Sequence, residues 1–217
     1  MRQHDKTEPE HRADLIAVCR RLAALGLIGA GEGNVSIRLG PRRVLATPSG
    51  TNKALLLAHE LVTTDPQGEK IAGRRAPSSE LAMHLAVYRA RAEVPAVVHA
   101  LPPTAIALTL AGIDLASPAL PEAVTALGGG IPTAPYATPS TPELAEGAAR
   151  ALGRHDACLM ERHGALAVGR DVFEALDRME TVERVAQVVL RARLLGGNPT
   201  PLPEAEIERL LRLSGRS

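Results

Sequence analysis

The order of short β-rich runs and longer helical runs is the feature that most constrains how this chain can fold. Two hairpin patterns come early, over residues 34–50 around Gly40-Pro41 and over residues 60–73 with a turn at Asp65–Gly68. Helical patterns then alternate with short apolar runs that suit buried strands. We therefore predict an α/β fold with a mixed, largely antiparallel sheet, because a doubly wound fold would show a regular strand–helix series.

Apolar periodicity and start signals locate the main helices. Residues 11–28 carry an apolar stripe at helical spacing, and residues 171–197 form a long amphipathic pattern. Residues 76–94 predict a third helix, in which Pro77 and two serines mark the start and Glu80 falls in the first turn.

Composition limits the core. Aromatic residues make up 1% of the chain, with no Trp, while apolar residues make up 45%, so Ala, Leu, Val and Ile must fill the interior. The length of 217 residues suits one large domain. We predict a flexible tail over residues 1–9 and a single domain over residues 10–217.

Charge and cysteine content narrow the class of protein. The formal net charge is +1, which gives no electrostatic reason to expect nucleic acid or an anionic membrane as a partner. The polar N-terminus cannot act as a signal peptide, and no apolar run approaches the ~20 residues that span a bilayer. Cys19 and Cys158 lie in apolar surroundings without metal-type spacing, which predicts a reduced, cytoplasmic protein.

Two glycine-containing segments are candidates for anion binding. Residues 31–36, GEGNVS, lack the pattern of a phosphate-binding P-loop. They form either a plain turn with Asn34 in a permissive backbone conformation or a site where backbone N–H groups and Asn34 bind an anion. The TPSG segment, residues 47–50, predicts a turn when taken alone.

The PSSE segment, residues 77–80, allows two interpretations. Ser78 or Ser79 caps a helix, and Glu80 interacts favourably with its dipole. The same geometry also offers a phosphate site, since a helix N-terminus with two hydroxyl groups binds anions, and Glu80 beside it can act as general acid or base.

Two histidines lie at the ends of predicted strands. His99 lies near the end of the predicted strand AVVHAL, residues 96–101, and His163 joins two strands over residues 157–169. Neutral imidazole suits zinc, and a catalytic zinc takes three protein ligands. Glu80 is the candidate third ligand, while His84, one helical turn later, is a core residue or supports a ligand.

In their order, the motifs GNVSIR, TPSG, PSSELAMH, AVVHALPP, IPTAPYATPSTPEL and ERHGALAVG resemble the class II sugar-phosphate aldolases of the fuculose-1-phosphate type. Related members include ribulose-phosphate 4-epimerases, methylthioribulose-phosphate dehydratases and the adducin head domain. The resemblance covers roughly residues 10–195. It implies a three-layer α/β/α sandwich and a homotetramer with active sites between neighbouring subunits.

The resemblance also assigns roles. Glu80 is the acid/base group, and a zinc ion held by histidines polarises the sugar phosphate during retro-aldol cleavage of a ketose 1-phosphate to dihydroxyacetone phosphate and an aldehyde. The implied phosphate-binding residues are Gly33, Asn34, Ser49, Gly50, Ser78 and Ser79.

The chain differs from the family at one of the positions that bind the metal. The family's strand ends in His-x-His, and both side chains are ligands on one side of the strand. Here His99 matches the first histidine of this pair, and Leu101 occupies the position of the second. His163 matches the family's third ligand. We expect zinc, or another divalent metal, to bind more weakly unless Glu80, Glu161 or water fills the gap.

The tyrosines also differ. Fuculose-type members have one near the position of Pro121 and one in the C-terminal tail, whereas this chain has only Tyr88 and Tyr136.

Three hypotheses follow: a lyase with an altered metal site, a non-catalytic sugar-phosphate-binding relative with a degraded zinc site, and an epimerase or dehydratase of the same superfamily. Because Glu80 and the phosphate-binding motifs are intact, we favour the lyase over the other two hypotheses.

Overall fold

An eight-stranded sheet forms the middle layer of the computed structural model, which describes residues 6–216. Its order is β4-β3-β2-β1-β5-β8-β7-β6, and every neighbouring pair is antiparallel except β6 and β7. The predicted mixed, largely antiparallel sheet is therefore confirmed. The strands are β1 (Asn34–Gly40), β2 (Arg43–Ala46), β3 (Val62–Thr64), β4 (Lys70–Ala72), β5 (Ala96–Ala100), β6 (Thr133–Ala134), β7 (Ala157–Met160) and β8 (Gly164–Gly169).

Helices cover both faces of the sheet. They are α1 (Glu8–Ala24), α2 (Leu81–Ala90), α3 (Pro103–Leu110), α4 (Pro121–Leu127), α5 (Pro142–Leu152), α6 (Val172–Leu194) and α7 (Glu204–Leu213). No helix within residues 6–216 combines the length and apolar character needed to cross a bilayer.

Two hydrophobic cores lie on opposite faces of the sheet. Along β5, Ala96 and Val98 contribute to the core formed with α1, α3, α4 and α6, while Val97 contributes to the core formed with α2 and α5. This alternation follows from the two-residue period of a strand. The result is the expected α/β/α sandwich, with the N-terminus of α2 on the same face as Val97 and His99.

Two sequence predictions require correction at element ends, and one helix was missed. Glu8 and Pro9, assigned to the tail, already belong to α1, because Thr7 and Glu10 form a capping box that starts the helix early. Residues 1–5 of that tail lie outside the described part of the chain. Helix α4 was not predicted. Helix α2 begins at Leu81, so Glu80 is its N-cap residue rather than part of its first turn.

A buried carboxylate fixes the connection that follows β5. Glu183 on α6 is 7% exposed and accepts hydrogen bonds from the backbone N–H groups of Thr104, at 3.1 Å, and Ala105, at 3.2 Å. Gln187 donates to its other oxygen at 3.0 Å. The first N–H groups of α3 have no partner within their own helix, so Glu183 satisfies them and holds α3 against α6.

We expect Glu183→Gln to lower the free energy of unfolding by about 1–3 kcal/mol, because the amide replaces a charged acceptor of buried N–H groups. Urea unfolding at fixed protein concentration measures the change. Glu180→Gln is the matched control on the same helix: its ion pair with Arg21 is exposed, so its removal should cost less than about 0.5 kcal/mol. Equal losses in the two variants would contradict the capping role.

Candidate active site

Three side chains with metal-binding atoms meet on one face of the sheet. Glu80 comes from the N-terminus of α2, His99 from the end of β5, and His163 from the turn between β7 and β8. Their ligand atoms all lie within 4.8 Å of one another. Nε2 of His163 donates to Oε1 of Glu80 at 2.9 Å, and Nε2 of His99 lies 3.4 Å from Oε2. The structure thus brings together the three residues that the sequence singled out.

The orientation of His99 leaves one ring nitrogen open. The side chain is fully buried, and Nδ1 lies 2.9 Å from the carbonyl oxygen of Ala165. A carbonyl oxygen only accepts hydrogen bonds, so Nδ1 carries a proton and Nε2 is the ring nitrogen left for a ligand. Within the described residues that Nε2 has no hydrogen-bond partner. Such a buried nitrogen without a partner, next to a carboxylate and a second imidazole, suits a divalent metal.

A strained turn positions His163. Arg162, directly before it, has φ = 61°, a left-handed conformation that costs a non-glycine residue about 1–3 kcal/mol. The backbone N–H of Arg162 donates to Oγ1 of Thr109 at 3.0 Å, and that of His163 donates to the carbonyl oxygen of Met160 at 3.1 Å. These bonds hold the turn in the conformation that directs His163 towards Glu80.

The Glu80 carboxyl group is ionised in this environment. Burial alone raises its pKa, but the contacts with His163 and His99 outweigh burial and hold the pKa well below its usual range. Nδ2 of Asn34 also donates to Oε2 at 3.0 Å. Glu80 is therefore present as a carboxylate, the form that binds a metal or accepts a proton.

A cleft of about 140 Å³ opens beside the three-residue cluster. Backbone bonds bring its walls together: Ser78 N–H donates to the Thr47 carbonyl oxygen at 3.2 Å, and Ser49 N–H donates to that of Ala76 at 3.0 Å. All six residues predicted to bind phosphate line it, namely Gly33, Asn34, Ser49, Gly50, Ser78 and Ser79.

The wall at Gly33 requires glycine. Its φ is 67°, and a Cβ atom there would lie 2.5 Å from Cγ2 of Ile28 and 3.0 Å from the carbonyl oxygen of His99. The glycine-rich segment therefore lets the chain pass directly beside the end of β5.

Two further residues bear on the missing histidine. Leu101 lines the cleft, so an apolar side chain lies beside the cluster at the position of the family's second ligand. Glu161 is engaged elsewhere: its oxygens accept hydrogen bonds from Tyr136 N–H at 3.2 Å and from Nε of Arg162 at 3.3 Å. Of the two carboxylates considered from sequence, Glu80 joins the histidines and Glu161 does not.

His84 is a supporting core residue, one of the two roles that the sequence left open. It is fully buried, and burial lowers its pKa to about 3, so the ring is neutral. Its Nδ1 is 2.7 Å from Oγ of Ser36, which is 2.8 Å from the Tyr88 hydroxyl. This polar chain ties α2 to β1 and so holds the helix that presents Glu80.

Sequence analysis missed Lys53. This lysine lines the cleft and is only 2% exposed, and its ammonium group donates to the carbonyl oxygens of Gly31 at 3.2 Å and Thr51 at 2.9 Å. The available signal was its rarity: the chain has 25 basic residues but only three lysines, and Lys53 follows TPSG by three positions.

Residues 13–190 match the sequence profile of the family described as Class II Aldolase and Adducin N-terminal domain. The chain is 32% identical to 5-deoxy-D-ribulose 1-phosphate aldolase of Bacillus thuringiensis, with 94% of each chain covered. It is 36% identical to 5-methylthioribulose-1-phosphate/5-deoxyribulose-1-phosphate aldolase of Rhodospirillum rubrum, covering 92% of this chain and 89% of that one. A solved L-fuculose 1-phosphate aldolase superimposes with a TM-score of 0.88 at 28% identity, covering 97% and 98% of the two chains.

We expect Gly164→Ala to displace His99 and weaken zinc binding by about tenfold or more. The added Cβ would lie 2.5 Å from the carbonyl oxygen of Ala100 and 2.9 Å from Cε1 of His99. Competition with a zinc chelator measures the affinity, and thermal unfolding reports folding. Gly147→Ala in α5 is the control, because its Cβ would meet nothing within 4 Å. Unchanged zinc affinity in Gly164→Ala would contradict the role of His99.

Proposed function

The chain belongs to the class II aldolase and adducin family, and on that premise we propose that it is a carbon–carbon lyase that cleaves a ketose 1-phosphate to dihydroxyacetone phosphate and an aldehyde. One observation carries the proposal: the cleft lined by the six candidate phosphate-binding residues is also lined by Glu80 and His163, two members of the cluster that His99 completes. A phosphate held in this cleft places the adjoining carbons of the sugar beside the carboxylate.

The donor set fits zinc or another divalent metal. Two imidazoles and one carboxylate make three protein ligands, the number that a catalytic zinc has when one position stays open for substrate. When bound there, the cation stabilises the negative charge that develops on the substrate's carbonyl and hydroxyl oxygens. With Leu101 in place of the second histidine, the site has three ligands, namely two histidines and Glu80. We expect this site to bind the metal more weakly than a site with three histidines.

The chain's own residues supply positioning and proton transfer. The cleft binds the phosphate, and Glu80 accepts the proton of the C4 hydroxyl group as the C3–C4 bond breaks. The electron pair of that bond passes to the C2 carbonyl and leaves an enediolate. Protonation at C3, with the proton returned by Glu80, releases dihydroxyacetone phosphate, and the remaining carbons leave as the aldehyde.

Assembly and location belong to the same proposal. We propose a homotetramer whose active sites lie between subunits, so that a neighbour completes each open cleft. Large apolar side chains that are exposed in the single chain support association, among them Leu194 and Leu195, which are 77% and 89% exposed at the end of α6. The free, buried thiols of Cys19 and Cys158 fit a reducing, cytoplasmic environment.

A non-catalytic sugar-phosphate-binding protein is the second candidate, and Leu101 is the observation that favours it. In that case the phosphate cleft is functional and the metal cluster is a remnant. An epimerase or dehydratase of the same superfamily is distinguished by the mass of its product: epimerisation conserves mass, dehydration removes one water, and cleavage splits the carbon chain.

Metal content separates the enzyme from the binding protein. We expect close to one zinc per chain in dialysed, untagged protein, and loss of that zinc in His163→Ala because one of three ligands is removed. Leu101→His should raise zinc affinity by about tenfold or more, since it adds an imidazole on the side of β5 that carries His99. Plasma mass spectrometry and chelator competition provide the readouts. A wild-type protein without metal after zinc addition would favour the binding protein.

Activity tests the lyase directly. A panel of ketose 1-phosphates should yield dihydroxyacetone phosphate, and Glu80→Gln should lower the rate by about 10²–10⁴-fold, because the amide cannot accept the proton. Mass spectrometry identifies the products, and Glu161→Gln is the control carboxylate outside the cluster. Undiminished cleavage by Glu80→Gln would overturn the proposed role of this residue.

A further inference from the structure

The cleft beside Glu80 contains a buried lysine that forms no ion pair within 4.0 Å among the described residues. Lys53 is 2% exposed, and its Nζ contacts two neutral carbonyl oxygens, those of Gly31 and Thr51. Among the ion pairs within 4.0 Å in the described part of the chain, none includes Lys53. Burial accordingly lowers the pKa of its ammonium group.

A charge in this position is unfavourable unless something compensates it. Buried lysines are almost always paired, since removing an ammonium group from water is costly when only neutral groups replace the water. An ammonium group has three N–H donors, and the two carbonyl oxygens account for two of them. The third donor, and a charge with no ion-pair partner within 4.0 Å in the described chain, are available to a ligand in the cleft that Lys53 lines.

The balance of charges that a ligand meets in the cleft depends on this cation. Two carboxylates, Glu32 and Glu80, line the same space, and Lys53 is the one lysine or arginine among its lining residues. The glycine and serine groups offer hydrogen bonds but no net charge. A phosphate dianion in the cleft would therefore be repelled by both carboxylates if Lys53 were neutral or absent.

We propose that Lys53 binds the phosphate group of the substrate and supplies the positive charge that makes the cleft selective for a phosphate monoester. The inference rests on the proposed function, because it deepens the role of the same cleft. It assigns two parts to recognition: Ser49, Ser78 and Ser79 orient the phosphate by hydrogen bonds, and Lys53 neutralises it. Sugars without phosphate leave the lysine unpaired and bind poorly.

Inorganic phosphate is a direct probe of this role. Thermal unfolding is measured over a phosphate titration for the wild type and for Lys53→Met, whose side chain has similar length and no charge. We expect the wild type to be stabilised, and the apparent Kd to rise at least tenfold in Lys53→Met. Lys70→Met, on the exposed strand β4, should match the wild type. Without phosphate, Lys53→Met should be as stable as the wild type or more so, because a buried unpaired charge is gone.

The outcomes separate this inference from the proposed function. Equal phosphate stabilisation of Lys53→Met and wild type would overturn the role of Lys53 and leave aldol cleavage untouched. A wild type that phosphate does not stabilise would overturn both the lysine and the phosphate cleft. Phosphate binding through Lys53 without cleavage of any ketose 1-phosphate would support the lysine and overturn the lyase.

A second measurement uses the wild-type protein and does not depend on the folding of a variant. Because the chain has only three lysines, ¹³C-lysine labelling gives three sets of signals, and Lys6→Arg and Lys70→Arg assign them by exclusion. Phosphate should shift the Lys53 signal saturably, with the Kd of the thermal titration. Saturable shifts of Lys6 or Lys70 with a silent Lys53 would contradict the inference.

Discussion

The pairing of β5 between β1 and β8 is the constraint on which the site depends. In this register Asn34 lies opposite His99 on one side, and Leu166 lies opposite it on the other. The register is specified by burial, since a slip by one residue would move Val97 and His99 to the other face of the sheet. One set of backbone hydrogen bonds thus sets the positions of Asn34 and His99, which both contact Glu80.

Two of the six buried side-chain atoms that lack a hydrogen-bond partner within residues 6–216 lie at the candidate site. They are Nε2 of His99 and Oδ1 of Asn34. Lys53, which lines the same cleft, forms no ion pair within 4.0 Å in that part of the chain. Folded proteins satisfy nearly all of their buried polar groups, and the exceptions gather where a ligand completes them. The unpaired atoms of His99 and Asn34 fit a cation, and the ammonium group of Lys53 fits an anion.

Sequence predicted most of this arrangement because much of it follows from local rules. Turn residues between β-rich runs located the hairpins, proline and serine located the start of α2, and the order of the motifs indicated which residues would meet. The start of α1 and the cap at Glu80 were misplaced by one to three residues, because caps depend on side-chain bonds that periodicity does not contain. Lys53 was missed for another reason: its significance lies in its burial and in the charges around it, which are properties of the packed chain.

Leu101 does not by itself decide between an enzyme and a remnant. Loss of a ligand without compensation would leave two histidines and an open carboxylate, and burial would then raise the pKa of Glu80. Instead Glu80 contacts both imidazoles and its pKa is lowered, so the carboxylate is tied to the histidines and forms the third corner of the cluster. The left-handed conformation of Arg162 costs conformational free energy, and the turn that contains it positions His163. These two features fit a three-ligand centre better than a degraded one, and that centre adjoins the proposed phosphate cleft.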